Sequence, residues 1–129
     1  MLDIKQFIVY IKELFIDIVD NVYYLEIDKD DRELYPVLVY DIEYEIQNEN
    51  RITGIITANL YDNQFNGVLN IEQIGQDLYN KLNYLRTYAE KNVVYFSIMI
   101  TSMRVRNAPT EEENLKRKLI TITYEAQFK

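Results

Sequence analysis

The sequence predicts an α+β fold: an antiparallel sheet of about four main strands with two helices packed on one face, in the order α-β-β-α-β-β. Three observations carry it. Two segments repeat apolar residues at helical spacing, and four others alternate or are rich in β-branched and aromatic residues. The loops between successive strands are short, which implies antiparallel pairing with the helices gathered on one side. With 129 residues, no repeat and no Gly/Ser/Pro linker, the chain reads as a single domain, 1–129.

Ile4, Phe7, Ile8, Ile11, Leu14, Phe15 and Ile18 define a first helix, about Leu2 to Val19. Val22 to Ile27 is a short extended segment, and "DKDDRE" (28–33) is a loop. The first main strand runs from Pro36 to Ile46, with proline at the start, where a missing N–H does least harm. Leu38, Tyr40, Ile42, Tyr44 and Ile46 point to one side of it; Val37, Val39, Asp41, Glu43 and Glu45 point to the other. "NENR" connects to a second strand, Ile52 to Tyr61. Asn70 with Gln73 reads as a capping box opening a second helix, whose stripe is Ile71, Ile74, Leu78, Leu82 and Leu85. Asn92 to Arg106 is the longest strand, and "RKLITITYEAQFK" closes the chain with Ile120, Ile122, Tyr124, Ala126 and Phe128 on one side.

Composition narrows the function classes. The chain has no Cys, which removes disulfides, thiolate metal sites and cysteine nucleophiles, and no His, which removes the commonest general base and zinc ligand. Ser97 and Ser102 lie in an apolar run rather than a Gly-flanked elbow. These features point away from an enzyme, and no cofactor or metal is expected. A net charge of −7 argues against general nucleic-acid binding. The N-terminus lacks the basic start of a signal peptide, and Lys5, Lys12 and Glu13 interrupt its apolar run short of the roughly 18 residues of a membrane span. A soluble protein made in a cytoplasm is expected.

Five features are candidates for function. "DKDDRE" spaces Asp28, Asp30 and Glu33 like a calcium loop, but Arg32 occupies a ligand position and the turn glycine is missing, so a solvated loop is the better reading. At about 100° per residue, Leu2, Val9 and Ile16 align on the back of the first helix, between Lys5 and Lys12 on one side and Gln6 and Glu13 on the other. A helix burying one face should not carry them there, so they are a candidate subunit interface, against the blander reading of scattered surface apolar residues. Asp41, Glu43 and Glu45, with Glu125 across the sheet, form a candidate acidic face. It is either an ordinary solvated sheet face or the wall of a channel through which DNA passes without sticking. Twelve tyrosines suit interfaces but are also common in strands. Glu111, Glu112 and Glu113 in "PTEEENLKRKL" mark either a docking loop or a charged hairpin tip that protects an edge strand.

The order of these elements, with "PVLVYDIEYE" after an N-terminal helix, then "IEQIGQDLYNKL" and the closing "KRKLITITYEAQF", resembles the tail-terminator (tail-to-head joining) proteins of long-tailed bacteriophages and related prophages. The resemblance spans nearly the whole chain. It implies a hexameric ring of identical subunits that caps the tail tube and joins it to the head connector or neck protein. It further implies a place in the virion, assembly in the bacterial cytoplasm, and DNA as a passing rather than a bound partner. That family offers no catalytic motif to carry over, so the interface positions above rest on the physical reading. The alternatives are another small head–tail neck protein, an acidic dimeric secretion-type chaperone, and a carboxylate enzyme with two acids converging in a pocket.

Overall fold

In a computed structural model, which describes residues 2–27, 34–67, 69–91 and 94–129, the chain builds two helices and six strands. They are α1 (Ile4–Ile16), β1 (Asn21–Tyr24), β2 (Val37–Asn48), β3 (Arg51–Asn63), α2 (Asn70–Leu82), β4 (Arg86–Lys91), β5 (Val94–Ala108) and β6 (Leu115–Phe128). A single turn of 3-10 helix, Gln64–Asn66, leads from β3 toward α2. No helix among the described residues is long and apolar enough to cross a membrane.

The four-strand antiparallel sheet expected from the sequence is overturned. One curled, mixed sheet runs β1-β2-β3-β6-β5-β4, and β1 pairs with β2 in parallel over Asn21–Tyr24 and Val37–Tyr40. The element order is therefore not α-β-β-α-β-β, because strands also occupy 21–24 and 86–91. Both added strands are edges with little apolar alternation. β4 turns only Thr87 and Ala89 toward the core side, so its pattern is nearly silent.

Asp3 caps α1, its Oδ1 accepting from the Gln6 amide at 3.2 Å. Phe7, Ile11 and Phe15 make its buried stripe. Phe7 packs among Phe96, Tyr124 and Phe128 with ring centroids 5.2–6.0 Å away, and Phe15 lies 5.5 Å from Tyr40, so α1 crosses from β5 and β6 toward β2. α2 buries Ile71, Gly75, Leu78 and Leu82 on the same side of the sheet. The Lys81 ammonium ties the two helices together, donating to the Leu14 carbonyl at 3.0 Å and to Asp17 at 2.7 Å. The expected capping box is not formed. Asn70 donates to Asp62 and Gln73 donates to Asp77, one turn further along the helix. Leu85 lies past the end of α2, after Tyr84 takes a left-handed conformation with φ of 59°.

The hairpin β2–β3 is closely approached at Gly54, which sits opposite Tyr44. A Cβ added there would collide with the Glu43 carbonyl oxygen and the Tyr44 Cα, and backbone cannot move aside as a side chain can. Gly54→Ala should lower stability by about 2 kcal/mol or more in urea unfolding, with the loss concentrated in this hairpin.

Two buried tyrosines fasten the sheet to its surroundings. Tyr40 donates its hydroxyl to the Ile8 carbonyl at 2.8 Å, and Tyr124 donates to the Glu43 carbonyl at 3.1 Å. Burial, then neighbouring tyrosines, pushes both hydroxyls well above the ordinary value of 10.0. In the unfolded chain they ionise near 10, whereas in the folded chain they stay protonated. Their contribution is therefore complete below about pH 10 and is lost as pH climbs above it. Urea midpoints should fall as pH rises above about 10, and Tyr40→Phe should make that fall shallower while costing about 1 kcal/mol near neutrality.

Candidate functional site: an outer sheet face divided by charge

Because side chains alternate across each strand, cross-strand partners share a face. The helix-covered face holds Tyr40, Ile56, Ile122 and Ile100 among the core. The opposite face is open. On β2 it presents Asp41, Glu43 and Glu45, all exposed and without an ion-pair partner among the described residues. On β5 it presents Arg104 and Arg106, also exposed and unpaired, and on β4 it presents Arg86, whose guanidinium donates to the Met99 sulfur. Arg117 on β6 is held by Asn59, with 2.6 and 2.9 Å bonds to its Oδ1. The face is thus acidic along β2 and carries arginines along β5 and at the start of β4, with Glu90 further along β4 beside Tyr95.

Glu125 lies on this same face, two strands away from β2, and bonds Arg51 at 3.1 Å. Each partner is about 40% exposed, so the pair contributes little to stability but neutralises Glu125 locally. The four acids do not make one continuous stripe.

The back of α1 carries Val9 and Ile16 at 36% and 42% exposure, beside exposed Lys5 and Lys12. Leu2 differs from these two, since it is partly buried against the core. Glu111, Glu112 and Glu113 are exposed at the tip of the β5–β6 hairpin. The Thr110 hydroxyl organises that tip by bonding the Glu112 and Leu115 carbonyls at 2.9 and 3.0 Å. Asp28, Asp30 and Glu33, the calcium-like spacing, lie outside the described residues. Among the described residues no group of three or more acids is set to hold a metal ion.

A cavity of about 660 Å³ opens between the end of β1 and the β5–β6 hairpin, with Glu26, Tyr35, Tyr61, Asn59 and Glu112 on its walls. Both glutamates are exposed, and the opening lies on the sheet surface rather than in the core.

Sequence reasoning missed two buried charges and the arginine flank. Asp62, 1% exposed, accepts at Oδ1 from the Asn63 amide at 2.9 Å and from Asn66 at 2.7 Å, and at Oδ2 from Asn70 at 2.7 Å. Lys118 donates to Glu72 and to Asn107, each at 2.6 Å. Together they clamp the start of α2 onto one end of the sheet. Strand alternation alone carried the signal, since Asp62 follows the inward set Ile56, Ala58, Leu60, and Lys118 precedes Ile120, Ile122, Tyr124. The same alternation puts Arg104 and Arg106 together on the outer face.

No protein-family model and no curated protein matches the sequence. A solved structure, whose name says nothing of function, is similar over 97% of this chain and 93% of its own, at 14% identity and a TM-score of 0.60. At that identity the likeness is one of fold alone.

Proposed function

We propose that this chain is a non-enzymatic structural protein of a phage or prophage virion, of the tail-terminator kind, which assembles as a ring that caps the tail tube and meets the head connector. The observation that carries the reading is the open, charge-divided sheet face. Asp41, Glu43 and Glu45 stand in a row on an exposed strand, not around a pocket, so they make a surface and not a reacting centre. A face with carboxylates along β2 and arginines on β5 and β4 is also polar in the sense that matters for assembly. It suits head-to-tail contact between identical copies, the kind that closes into rings. The exposed Val9 and Ile16 add apolar surface on the helix side, where a neighbour or the tail tube can settle. In this reading DNA passes through the ring and is not held, because net charge of −7 leaves few phosphate contacts to be made.

Light scattering behind a sizing column, repeated across protein and salt concentrations and with purified tail tubes, tests this. A hexamer in solution, or a monomer that forms rings on tube ends in electron micrographs, is the expected result. Val9→Lys should then weaken ring or tube attachment about tenfold while leaving the monomer folded by circular dichroism. A tight dimer at every concentration that ignores tail tubes overturns the proposal and favours a chaperone-like partner binder.

A further inference from the structure

The two ends of the sheet have matching steps. β1 covers the edge of β2 only from Val37 to Tyr40, so among the described residues no strand pairs with that edge from Asp41 to Asn48. At the other end, β4 covers β5 only from Val94 to Met99, so β5 is an open edge from Thr101 to Ala108. The cross-strand registers fix the relative heights of these steps. Arg86 pairs with Met99, Met99 with Glu125, Glu125 with Thr53, and Thr53 with Glu45. β4 therefore begins level with Glu45, where the β2 edge is open. Arg106 pairs with Leu119, Leu119 with Asn59, and Asn59 with Val39, which pairs with Tyr23. Val105–Ala108, the far end of the open part of β5, is thus level with β1, and Ser102–Arg104 is level with Asp41–Glu43. Level with Glu45–Asn48 the sheet runs β2-β3-β6-β5-β4 and level with Val37–Tyr40 it runs β1-β2-β3-β6-β5, five strands in each case, while between them, level with Asp41–Tyr44, it has the four strands β2-β3-β6-β5.

We infer that copies of this chain join edge to edge, β4 of one against the open half of β2 in the next, and β5 of the first against β1 of the second. The inference rests on the ring reading above and deepens it by naming the joint. Since these two outer levels hold the same number of strands, a single displacement satisfies both contacts at once, and the four-strand rows between them stay one strand apart. Unpaired N–H and C=O groups on exposed edges are natural templates for such pairing. Charge selects the partner edge. Two β2 edges would set carboxylate against carboxylate, whereas β4 without sliding brings Arg86 beside Glu45 on the outer face. Arg104 of the first copy then lies on the row of Asp41 in the next, since Arg104 pairs with Thr121, Thr121 with Thr57, and Thr57 with Asp41. On the helix side the added strand would set Thr87 beside Ile46, which is 59% exposed although its alternation turns it inward.

The chain has no cysteine, so an engineered pair reports without background. Neighbouring strands lie about 4.8 Å apart, within the range a disulfide spans. Glu45→Cys with Arg86→Cys in one chain should give covalent ladders longer than a dimer on mild oxidation, and either change alone should give none. Glu45→Arg alone should raise the concentration needed for assembly about tenfold or more, and adding Arg86→Glu should restore it. Assembly to the full ring mass with no ladder and no charge rescue overturns the edge joint and leaves the ring reading standing. Crosslinked dimers from Glu45→Cys alone overturn the joint as well, by showing like edges in contact. If no variant or wild-type preparation exceeds a monomer with or without tail tubes, the ring reading fails and the joint fails with it.

Discussion

The β3–β6 ladder is the constraint from which the rest of the molecule hangs. It runs unbroken from Arg51–Gln127 to Asn63–Leu115, through the middle of the sheet. Every other strand is placed by reference to it, β2 and then β1 on one side, β5 and then β4 on the other. Its partners are far apart in sequence, and it joins the β2–β3 hairpin to the β5–β6 hairpin. One face of the ladder holds Ile52, Ile56, Ala58, Leu60, Ile120, Ile122 and Tyr124, so a slip by one residue would turn that set outward. The covering helices therefore do not need to specify the register; they seal it.

Where the ladder leaves the helices' cover, charge takes over the work of closure. Asp62 and Lys118 lie at one end, in phase with core residues but beyond the apolar part of the core. Each is fully provided for: Asp62 by three amide N–H donors, Lys118 by Glu72 and Asn107. Buried charge is tolerated only when so satisfied, and satisfaction fixes geometry more sharply than apolar contact does. The consequence is that α2 starts at a defined point on the sheet without a side-chain cap of its own, since Leu69 offers none.

Strands with one face on the core were readable from sequence because their alternation has a cause. The inward phases of β2, β3 and β6 follow Leu38–Tyr40–Ile42, Ile56–Ala58–Leu60 and Ile120–Ile122–Tyr124. The reading failed where that cause is absent. β1 is four residues long and shows in the sequence only as a short extended segment, Val22 to Ile27, and β4 sets Thr87 and Ala89 inward with little apolar pattern, so the sheet expected from sequence is smaller and wholly antiparallel. Tyr44 and Ile46 kept the inward phase of β2 yet lie exposed, since the helices stop short of them and no pattern within the strand records how far its cover reaches. The candidate site was half visible. The carboxylates of β2 stood out as a run, whereas Arg86, Arg104 and Arg106 became one flank only when β4, β5 and β6 were set side by side.

These failures share a physical origin that bears on function. An interior strand is written by two neighbours and a core from the same chain, so its residues can be decoded from that chain. An edge strand has one such neighbour, and half of what selects its residues lies beyond it. Acidic side chains on the open half of β2 fit a need to prevent indiscriminate pairing, which any exposed edge faces. Protection alone, however, would be served equally by charge of either sign and would not require the opposite end to differ. Here β2 carries carboxylates and β4 and β5 carry arginines, and β1 and β4 lie at opposite levels, each adding one strand to the four-strand rows between them. Such lengths are what the proposed edge joint uses, since each short strand would lie beside the uncovered stretch of its neighbour's edge. If copies join as proposed above, the part of the sequence least legible in isolation is the part whose determinants belong to the assembly.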